Sequence, residues 1–197
     1  MIRTPLCDIL DIKHPIILGG MAWVGTAEYA ATVSNAGGLG LLGSATMPKK
    51  DLIVEINKLK SLTDKSFGVN LVPLDHSQSD LFERAEACVE TGIKIVSTAF
   101  SDPKKPLVRF LKDHGVMVMG VVPSVRLGKR MVDEGASVII ASGCEAGGHV
   151  GKISSLPLIP QMVDAVGVPV VAAGGIADAR GFAAALSLGA VGIQMGT

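Results

Sequence analysis

Residues 137–151 read SVIIASGCEAGGHVG, and the fold prediction starts from this stretch. Its first part, residues 137–141, is a short apolar run of the kind that forms a fully buried β-strand. Its second part, residues 142–151, carries four glycines, which let a backbone take positive φ angles and approach a ligand closely. A buried strand that leads into a glycine-rich loop is typical of α/β proteins, in which such loops carry functional groups.

The same unit recurs along the chain. Eight apolar runs alternate with seven helical patterns without long loops, which predicts a parallel sheet covered on both faces. Eight units favour a (β/α)8 TIM barrel with ligands at the carboxyl ends of its strands. A doubly wound open sheet is the alternative, which the lack of an early G-x-G-x-x-G after a strand disfavours. The predicted strands are residues 15–20, 39–44, 67–72, 93–99, 116–122, 137–141, 169–175 and 191–197.

The predicted barrel lacks a helix after its eighth strand. The 197 residues are also fewer than the roughly 250 that are typical of the fold. We therefore expect residues 1–197 to form a single TIM-barrel domain that is incomplete at its C-terminus, as the N-terminal portion of a longer protein. One flank of strand 8 is then expected to remain uncovered.

Composition excludes several classes of partner. Eighteen basic residues balance eighteen acidic ones, whereas nucleic acids and anionic membranes attract a basic surplus. The three cysteines lie far apart without a C-x-x-C pair, which is typical of a reduced protein without disulfides or zinc. No apolar run approaches the roughly 18 residues of a membrane span, and the N-terminus has no secretory pattern. We expect a cytoplasmic protein.

Two polar side chains stand out in the loop of residues 142–151, namely Glu145 and His149. A glycine-rich loop that keeps one titratable imidazole indicates a cofactor and proton-transfer site. A glycine-rich turn with an exposed histidine remains the alternative. A carboxylate and an imidazole without a third ligand are poor evidence for a metal site, so none is predicted.

A second glycine-rich region follows the seventh predicted strand. Gly174 and Gly175 precede a helix for which Asp178 is placed as the N-cap, and Gly196 and Thr197 end the eighth strand. Barrels commonly bind phosphate at these two strand ends through backbone N–H groups. The pattern therefore indicates a phosphate site, with a tight corner of the chain as the alternative.

Four segments carry a resemblance to a known family. They are HPIILGGMAWVGTAEYAATVSNAGGLGLLGS at residues 14–44, GVNLV at 68–72, GCEAGGHVGK at 143–152 and VVAAGGIADARGFAAALSLGAVGIQMGT at 170–197. In this order and spacing they resemble the FMN-dependent family of nitronate monooxygenases (2-nitropropane dioxygenase-like proteins) and enoyl-acyl-carrier-protein reductase II. The part of those proteins that follows strand 8 has no counterpart here.

The resemblance implies an FMN across the mouth of the barrel. It assigns the FMN phosphate to Gly174, Gly175, Gly196 and Thr197. It assigns the ribityl chain and the ring to Gly20, Met21, Asn70, Glu145, Gly148 and Gln194. Simpler interpretations are that Met21 and Gln194 fill the barrel and that Asn70 caps a loop.

The resemblance also implies a reaction, with His149 as the catalytic acid or base. Residues 19–24 and 147–152 are closer to the enoyl reductases, in which NAD(P)H reduces FMN and hydride then passes to the β-carbon of an enoyl thioester. His149 would protonate the α-carbon. This branch belongs to fatty acid biosynthesis. Its substrate is a small molecule or an acyl thioester, which acyl carrier protein can present. The expected assembly is a homodimer.

Residues 97–103, STAFSDP, depart from the small glycine-containing turn of those reductases. Two alternatives stay open, the first because of this departure and the second because the chain lacks the C-terminal part of the family. One is a nitronate monooxygenase, which oxidises alkyl nitronates with O₂ and needs no NAD(P)H. The other is a barrel fragment without catalytic activity.

Overall fold

The computed structural model describes residues 2–72, 78–99, 107–148 and 150–196. Its strands are β1 (Ile16–Leu18), β2 (Gly40–Gly43), β3 (Phe67–Leu71), β4 (Ile95–Thr98), β5 (Met117–Val122), β6 (Val138–Ser142), β7 (Val170–Ala173) and β8 (Gly192–Met195). Its helices are α1 (Pro5–Leu10), α2 (Ala27–Asn35), α3 (Lys49–Leu62), α4 (Gln78–Glu90), α5 (Leu107–Asp113), α6 (Val125–Glu134), α7 (Ser155–Ala165) and α8 (Ala179–Ser187).

The eight strands form one parallel sheet that closes on itself. Their order is β1-β8-β7-β6-β5-β4-β3-β2, so the first strand pairs with the last. The two remaining edges meet at a parallel bridge between Ile17 and Leu39. There the Leu18 N–H donates to the Leu39 carbonyl and the Leu39 N–H to the Ile16 carbonyl, both at 2.9 Å. The predicted (β/α)8 barrel is confirmed, and the open doubly wound sheet is excluded.

Alternate side chains of the strands enter two apolar layers. In β6, for example, Ile140 points into the barrel, where it packs with Ile17 and Val171. Its neighbour Ile139 points outward and packs with residues of the surrounding helices, such as Met162 of α7. Because both faces are buried, the strands read as continuous apolar runs and not as alternating ones.

Helix α1 comes in addition to the seven predicted helices, because no helix was predicted before the first strand. The structure has eight helices within the described residues, and α1 precedes β1. Leu6, Cys7 and Leu10 are buried and join the interior cluster of the barrel. Leu6 lies against Gly192, the first residue of β8. Helix α1 therefore plugs the amino end of the barrel, and the opposite end remains for ligands.

The ends of the elements follow local capping signals. The Asp178 carboxylate accepts hydrogen bonds from the Arg180 N–H at 2.9 Å and the Gly181 N–H at 3.4 Å, so the predicted N-cap of α8 is confirmed. Strand β4 is shorter than the predicted residues 93–99. Within the part of the chain that the structure describes, no helix has both the length and the apolar character that crossing a bilayer requires.

Candidate active site

A cavity of about 690 Å³ opens where the strands end at their carboxyl termini. Nine of the site residues predicted from the sequence line it together: Gly20, Met21, Asn70, Glu145, Gly148, Gly174, Gly175, Gln194 and Gly196. The two other predicted site residues, His149 and Thr197, lie outside the described residues. The structure thus brings together residues from five strand ends that are far apart in the sequence.

Gly20 makes room for Asn70 at one side of the cavity. A Cβ atom on Gly20 would lie 2.2 Å from the Asn70 Cβ, which no packed structure tolerates. Asn70 itself is buried at the end of β3, and its amide donates to the Ser97 hydroxyl at 2.8 Å. The close approach of the β1 loop to β3 therefore depends on glycine at position 20.

The turn after β7 exposes backbone to the cavity. Gly174 and Gly175 have φ angles of +104° and +70°, which lie in the region that favours glycine. Helix α8 starts shortly after this turn. Glycine at both positions leaves backbone groups uncovered by side chains, as an approaching anionic group requires.

Gln194 supplies an unsatisfied acceptor at the same cavity. It lies on β8, and among the described residues no donor reaches its buried Oε1 atom. A buried amide oxygen without a partner costs free energy of roughly 1–3 kcal/mol. A ligand in the cavity that donates a hydrogen bond would remove that cost.

Glu145 anchors the β6 loop to the start of α7. Its Oε2 accepts from the Ser155 N–H at 2.9 Å and from the Ser155 hydroxyl at 2.8 Å, while the N-cap residue of α7, Ser154, makes no side-chain capping bond. The Ser155 hydroxyl also lies 2.9 Å from the Gly174 carbonyl. Glu145 thus caps α7 from a distance, and Ser155 ties this cap to the turn after β7.

The glycines around this cap follow from its geometry. A Cβ on Gly143 would lie 2.1 Å from the Ser155 Oγ and 2.5 Å from the Glu145 Oε2. A Cβ on Gly174 would lie 2.7 Å from the same Ser155 Oγ. Gly143 and Gly174 are therefore required by close contacts within the chain at the cavity wall.

The electrostatics of Glu145 favour its carboxylate form. Burial acts to raise the pKa of Glu145, but hydrogen bonds from its own N–H, from Ser155 and from the Cys144 thiol outweigh burial and hold the pKa below its ordinary value. The negative charge also lies near the positive end of the α7 dipole, which stabilises it further. Glu145 is the one charged residue among the described residues that line the cavity.

The cavity has two unlike halves. The strand ends of β6, β7 and β8 contribute glycine turns, Glu145 and Gln194. The strand ends of β1 to β4 contribute an apolar wall, called here the apolar arc: Met21, Ala22, Trp23, Ala45, Val72 and Ala99. Asn70 interrupts this arc, but its amide is engaged by Ser97. The β6–β8 side therefore holds Glu145, Gln194 and the glycine turns among apolar residues (Ala146, Ala173, Ile176, Ala177 and Met195), whereas the described lining of the β1–β4 side has no free polar side chain.

Three residues of structural importance at the site were missed from the sequence: Ser155, Trp23 and Arg84. Arg84 is only 3% exposed, and its guanidinium donates to the Ser44 and Ala45 carbonyls at 2.9 Å, which fixes the end of β2 at the cavity edge. Burial lowers the pKa of Arg84 from its usual value. A signal existed, because position 84 falls on the apolar face of α4, three residues after the buried Leu81.

The residues present fit an FMN. The turn after β7 offers free backbone for a phosphate, Gln194 offers an unsatisfied acceptor, and the cavity has the volume of a cofactor site. Within the described ranges, no group of three or more histidine, cysteine, aspartate or glutamate side chains is arranged to hold a metal ion.

Comparison with known proteins agrees with the fold and the motifs. The family model for nitronate monooxygenase matches residues 3–197. The chain is 41% identical to a Mycobacterium tuberculosis protein named (3aS,4S,5R,7aS)-5-hydroxy-7a-methyl-1-oxo-octahydro-1H-indene-4-carboxyl-CoA dehydrogenase, over 100% of this chain and 55% of the relative. It is 36% identical to a Staphylococcus saprophyticus protein named "Probable nitronate monooxygenase", over 100% of this chain and 67% of the relative.

A solved structure is similar over the whole barrel. The structure of FabK from Thermotoga maritima superposes with a TM-score of 0.93 at 43% identity, covering 100% of this chain and 62% of FabK. The chain therefore spans little more than half of the Mycobacterium relative and about three fifths of FabK. The resemblance drawn from the four sequence segments is confirmed: the chain belongs to the nitronate monooxygenase family of FMN-dependent oxidoreductases.

Proposed function

We propose that this chain forms the FMN- and substrate-binding barrel of an oxidoreductase that reduces enoyl thioesters with NAD(P)H. The observation that carries the proposal is the two-sided cavity, with polar backbone on the β6–β8 side and the apolar arc opposite. Two relatives support the thioester. The Mycobacterium protein is named for a carboxyl-CoA substrate, and FabK is an enoyl-acyl-carrier-protein reductase II.

In this proposal the glycine turns and Gln194 hold the cofactor. Gly174, Gly175, Gly196 and Thr197 bind the FMN phosphate through backbone groups, and the Gln194 Oε1 accepts a hydrogen bond from the flavin. Gly20, Met21, Asn70, Glu145 and Gly148 line the rest of the flavin site. Bound FMN would supply the two-electron transfer from NAD(P)H to the carbon–carbon double bond. CoA or acyl carrier protein is the proposed carrier of the acyl group, and a homodimer the proposed assembly.

His149, outside the described residues, is the proposed proton donor to the α-carbon of the thioester. Changing His149 to Gln is expected to leave flavin reduction by NAD(P)H intact and to slow reduction of the thioester by about a hundredfold. The matched control is His14→Gln, because His14 precedes β1 at the amino end of the barrel and should leave both half-reactions unchanged.

The test follows the flavin absorbance after anaerobic mixing of the FMN-loaded protein with NADH, NADPH or propyl nitronate in separate reactions. The proposal expects bleaching by a nicotinamide and recovery of the absorbance when crotonyl-CoA is added. Bleaching by propyl nitronate alone would sink the reductase proposal. Failure to bind FMN at all would favour the fragment without catalytic activity.

Nitronate oxidation is the second candidate, and the Staphylococcus relative favours it. A nitronate is a small anion, and a site that binds it benefits from a nearby cation. Among the described residues that line the cavity there is no lysine, arginine or histidine. The described part of the cavity lining thus supplies an apolar surface for an acyl group and no cation for a small anion.

A further inference from the structure

Trp23 is the most unusual side chain at the cavity. It lines the cavity, yet 77% of its surface is exposed, and it is the single tryptophan of the chain. Its φ angle is +61°, in the left-handed region that bulky residues rarely adopt. An exposed aromatic ring in a strained backbone adds nothing to the core, and such strain concentrates at ligand-binding sites.

The loop around Trp23 is held in place by β2. The Gly25 N–H donates to the Met21 carbonyl at 2.8 Å, and the Gly43 N–H of β2 donates to the Gly25 carbonyl at 2.8 Å. A Cβ on Gly43 would lie 2.3 Å from the Met21 carbonyl oxygen, so the turn presses directly on the strand. The ring of Trp23 is therefore presented by a backbone that is fixed at both ends.

Trp23 belongs to the apolar arc. Ala45, Val72 and Ala99 continue this surface along the ends of β2, β3 and β4. Their short side chains leave space in the cavity instead of filling it. An apolar surface of this kind binds hydrocarbon by removing it from water, and a large aromatic ring contributes most of the contact area.

We propose that Trp23 is a specificity residue that packs against the apolar acyl group of the thioester, with Ala45, Val72 and Ala99 of the apolar arc lining the rest of the acyl site. The inference rests on the proposed thioester function. It assigns the acyl group to the part of the apolar arc formed by Trp23, Ala45, Val72 and Ala99, beside the flavin site that extends from the β6–β8 side to Gly20, Met21 and Asn70. Selectivity for long or bulky acyl groups then depends on Trp23.

The experiment uses Trp23 as its own probe, because no other tryptophan contributes to the fluorescence. The FMN-loaded protein is titrated with free CoA, acetyl-CoA and octanoyl-CoA, none of which has a double bond to reduce. Octanoyl-CoA should shift the Trp23 emission to shorter wavelength, whereas free CoA should not. Since each buried methylene tightens binding by up to about fourfold, octanoyl-CoA should bind at least about tenfold more tightly than acetyl-CoA in calorimetry.

Variants separate this role from a structural one. Trp23→Ala should reduce the preference for octanoyl-CoA by about tenfold and leave acetyl-CoA binding within about twofold, and Trp23→Phe should retain most of the preference. Trp23→Gly should weaken octanoyl-CoA binding in the same way without lowering the melting temperature, because glycine accepts the positive φ angle. The matched control is Tyr29→Ala, an exposed aromatic residue of α2 that does not line the cavity.

Three outcomes would overturn the inference. Octanoyl-CoA could bind in calorimetry without shifting the Trp23 emission, and with the same affinity for Trp23→Ala as for the wild type. The acyl group then lies elsewhere, and the proposed function still stands. If no acyl-CoA binds to the FMN-loaded protein, the thioester function fails and the inference fails with it. If the emission shifts with protein concentration and not with acyl-CoA, a second copy of the chain covers Trp23.

Discussion

Among the glycines that line the cavity, Gly20 is the one whose added Cβ would lie closest to another atom. A methyl group there would overlap the Cβ of Asn70, which is buried and held by Ser97 and therefore cannot swing away. Gly147 lines the same cavity, but a Cβ at this position would meet no atom within 4 Å. The two glycines thus occupy one cavity but face different steric limits.

We expect Gly20→Ala to lower the free energy of unfolding by about 1–3 kcal/mol through overpacking, and to weaken FMN binding as the β1 loop shifts. Gly147→Ala should stay within about 0.5 kcal/mol of the wild type. Thermal unfolding of both variants without FMN, followed by FMN titration, measures the two effects. Equal stability of the two variants would show that the β1 loop accommodates the methyl group.

Residues with a local signal could be predicted from the sequence, and residues with a distant partner could not. Gly174 and Gly175 were recognisable because a glycine pair directly follows an apolar run. Ser155 was not, because its role depends on Glu145, ten residues earlier, and on the Gly174 carbonyl at the end of another strand. The role of Trp23 could not be predicted either, since its exposure and positive φ angle are properties of the folded loop.

At the scale of the elements, α7 depends on a cap that comes from another segment. Its first N–H group is bonded by Glu145 of the β6 loop, and the lowered pKa of that carboxyl reflects these bonds against the opposing effect of burial. A carboxyl whose pKa is lower in the folded protein stabilises the fold above its unfolded pKa. That contribution disappears as the pH falls through the folded value.

We expect Glu145→Gln to reduce stability at neutral pH by about 0.5–1 kcal/mol, because a charge at the N-terminus of α7 is lost. The difference from the wild type should shrink only as the pH falls through the lowered pKa of Glu145, below the ordinary range of a glutamate, because the wild-type carboxyl is then protonated as well. Melting temperatures of both proteins between neutral pH and about pH 3 test this. Asp164→Asn, at the opposite end of α7, is the control and should not destabilise. A constant difference at all pH values would mean that the charge contributes nothing.

A strand or helix could be predicted from the sequence where its own residues carry a continuous or periodic apolar pattern. Strand β5 has no polar side chain and β6 has only Ser142 at its end, and both were found close to their predicted bounds. Helix α1 was not, because six residues with three buried side chains are too short for a periodic signal, and its burial arises from the barrel that it plugs. The closure of the sheet likewise followed from the count of eight units and not from any one segment.

At the scale of the whole molecule, the three cysteines lie in three different environments. Cys7 lies in α1 inside the barrel, Cys88 is buried on α4, and Cys144 is exposed in the β6 loop. Burial raises the pKa of Cys88 to about 12, so almost none of it is thiolate at neutral pH. Because the thiolate is the reactive form, both its protonation and its burial protect it.

We expect the native protein to react with a thiol reagent at Cys144 alone, and the unfolded protein to react at all three cysteines. Peptide mapping after brief alkylation at about pH 8 identifies the labelled residues. Cys144→Ser is the control, since it should abolish the rapid phase of labelling. Rapid modification of Cys88 in the native protein would show that α4 separates from the barrel under these conditions.

The pairing of the first strand with the last also determines when the barrel can close during synthesis on the ribosome. Strand β1 cannot pair with β8 until Ile193 and Gln194 have been synthesised. Gln194 and Gly196, which line the cavity, are added at the same stage of synthesis. Until then the apolar face of Ile17 is open to other chains, which is the situation in which nascent proteins need chaperones. Stalled chains that end within α8 should therefore be digested by protease, whereas chains whose residue 197 has cleared the exit tunnel should resist it and bind FMN.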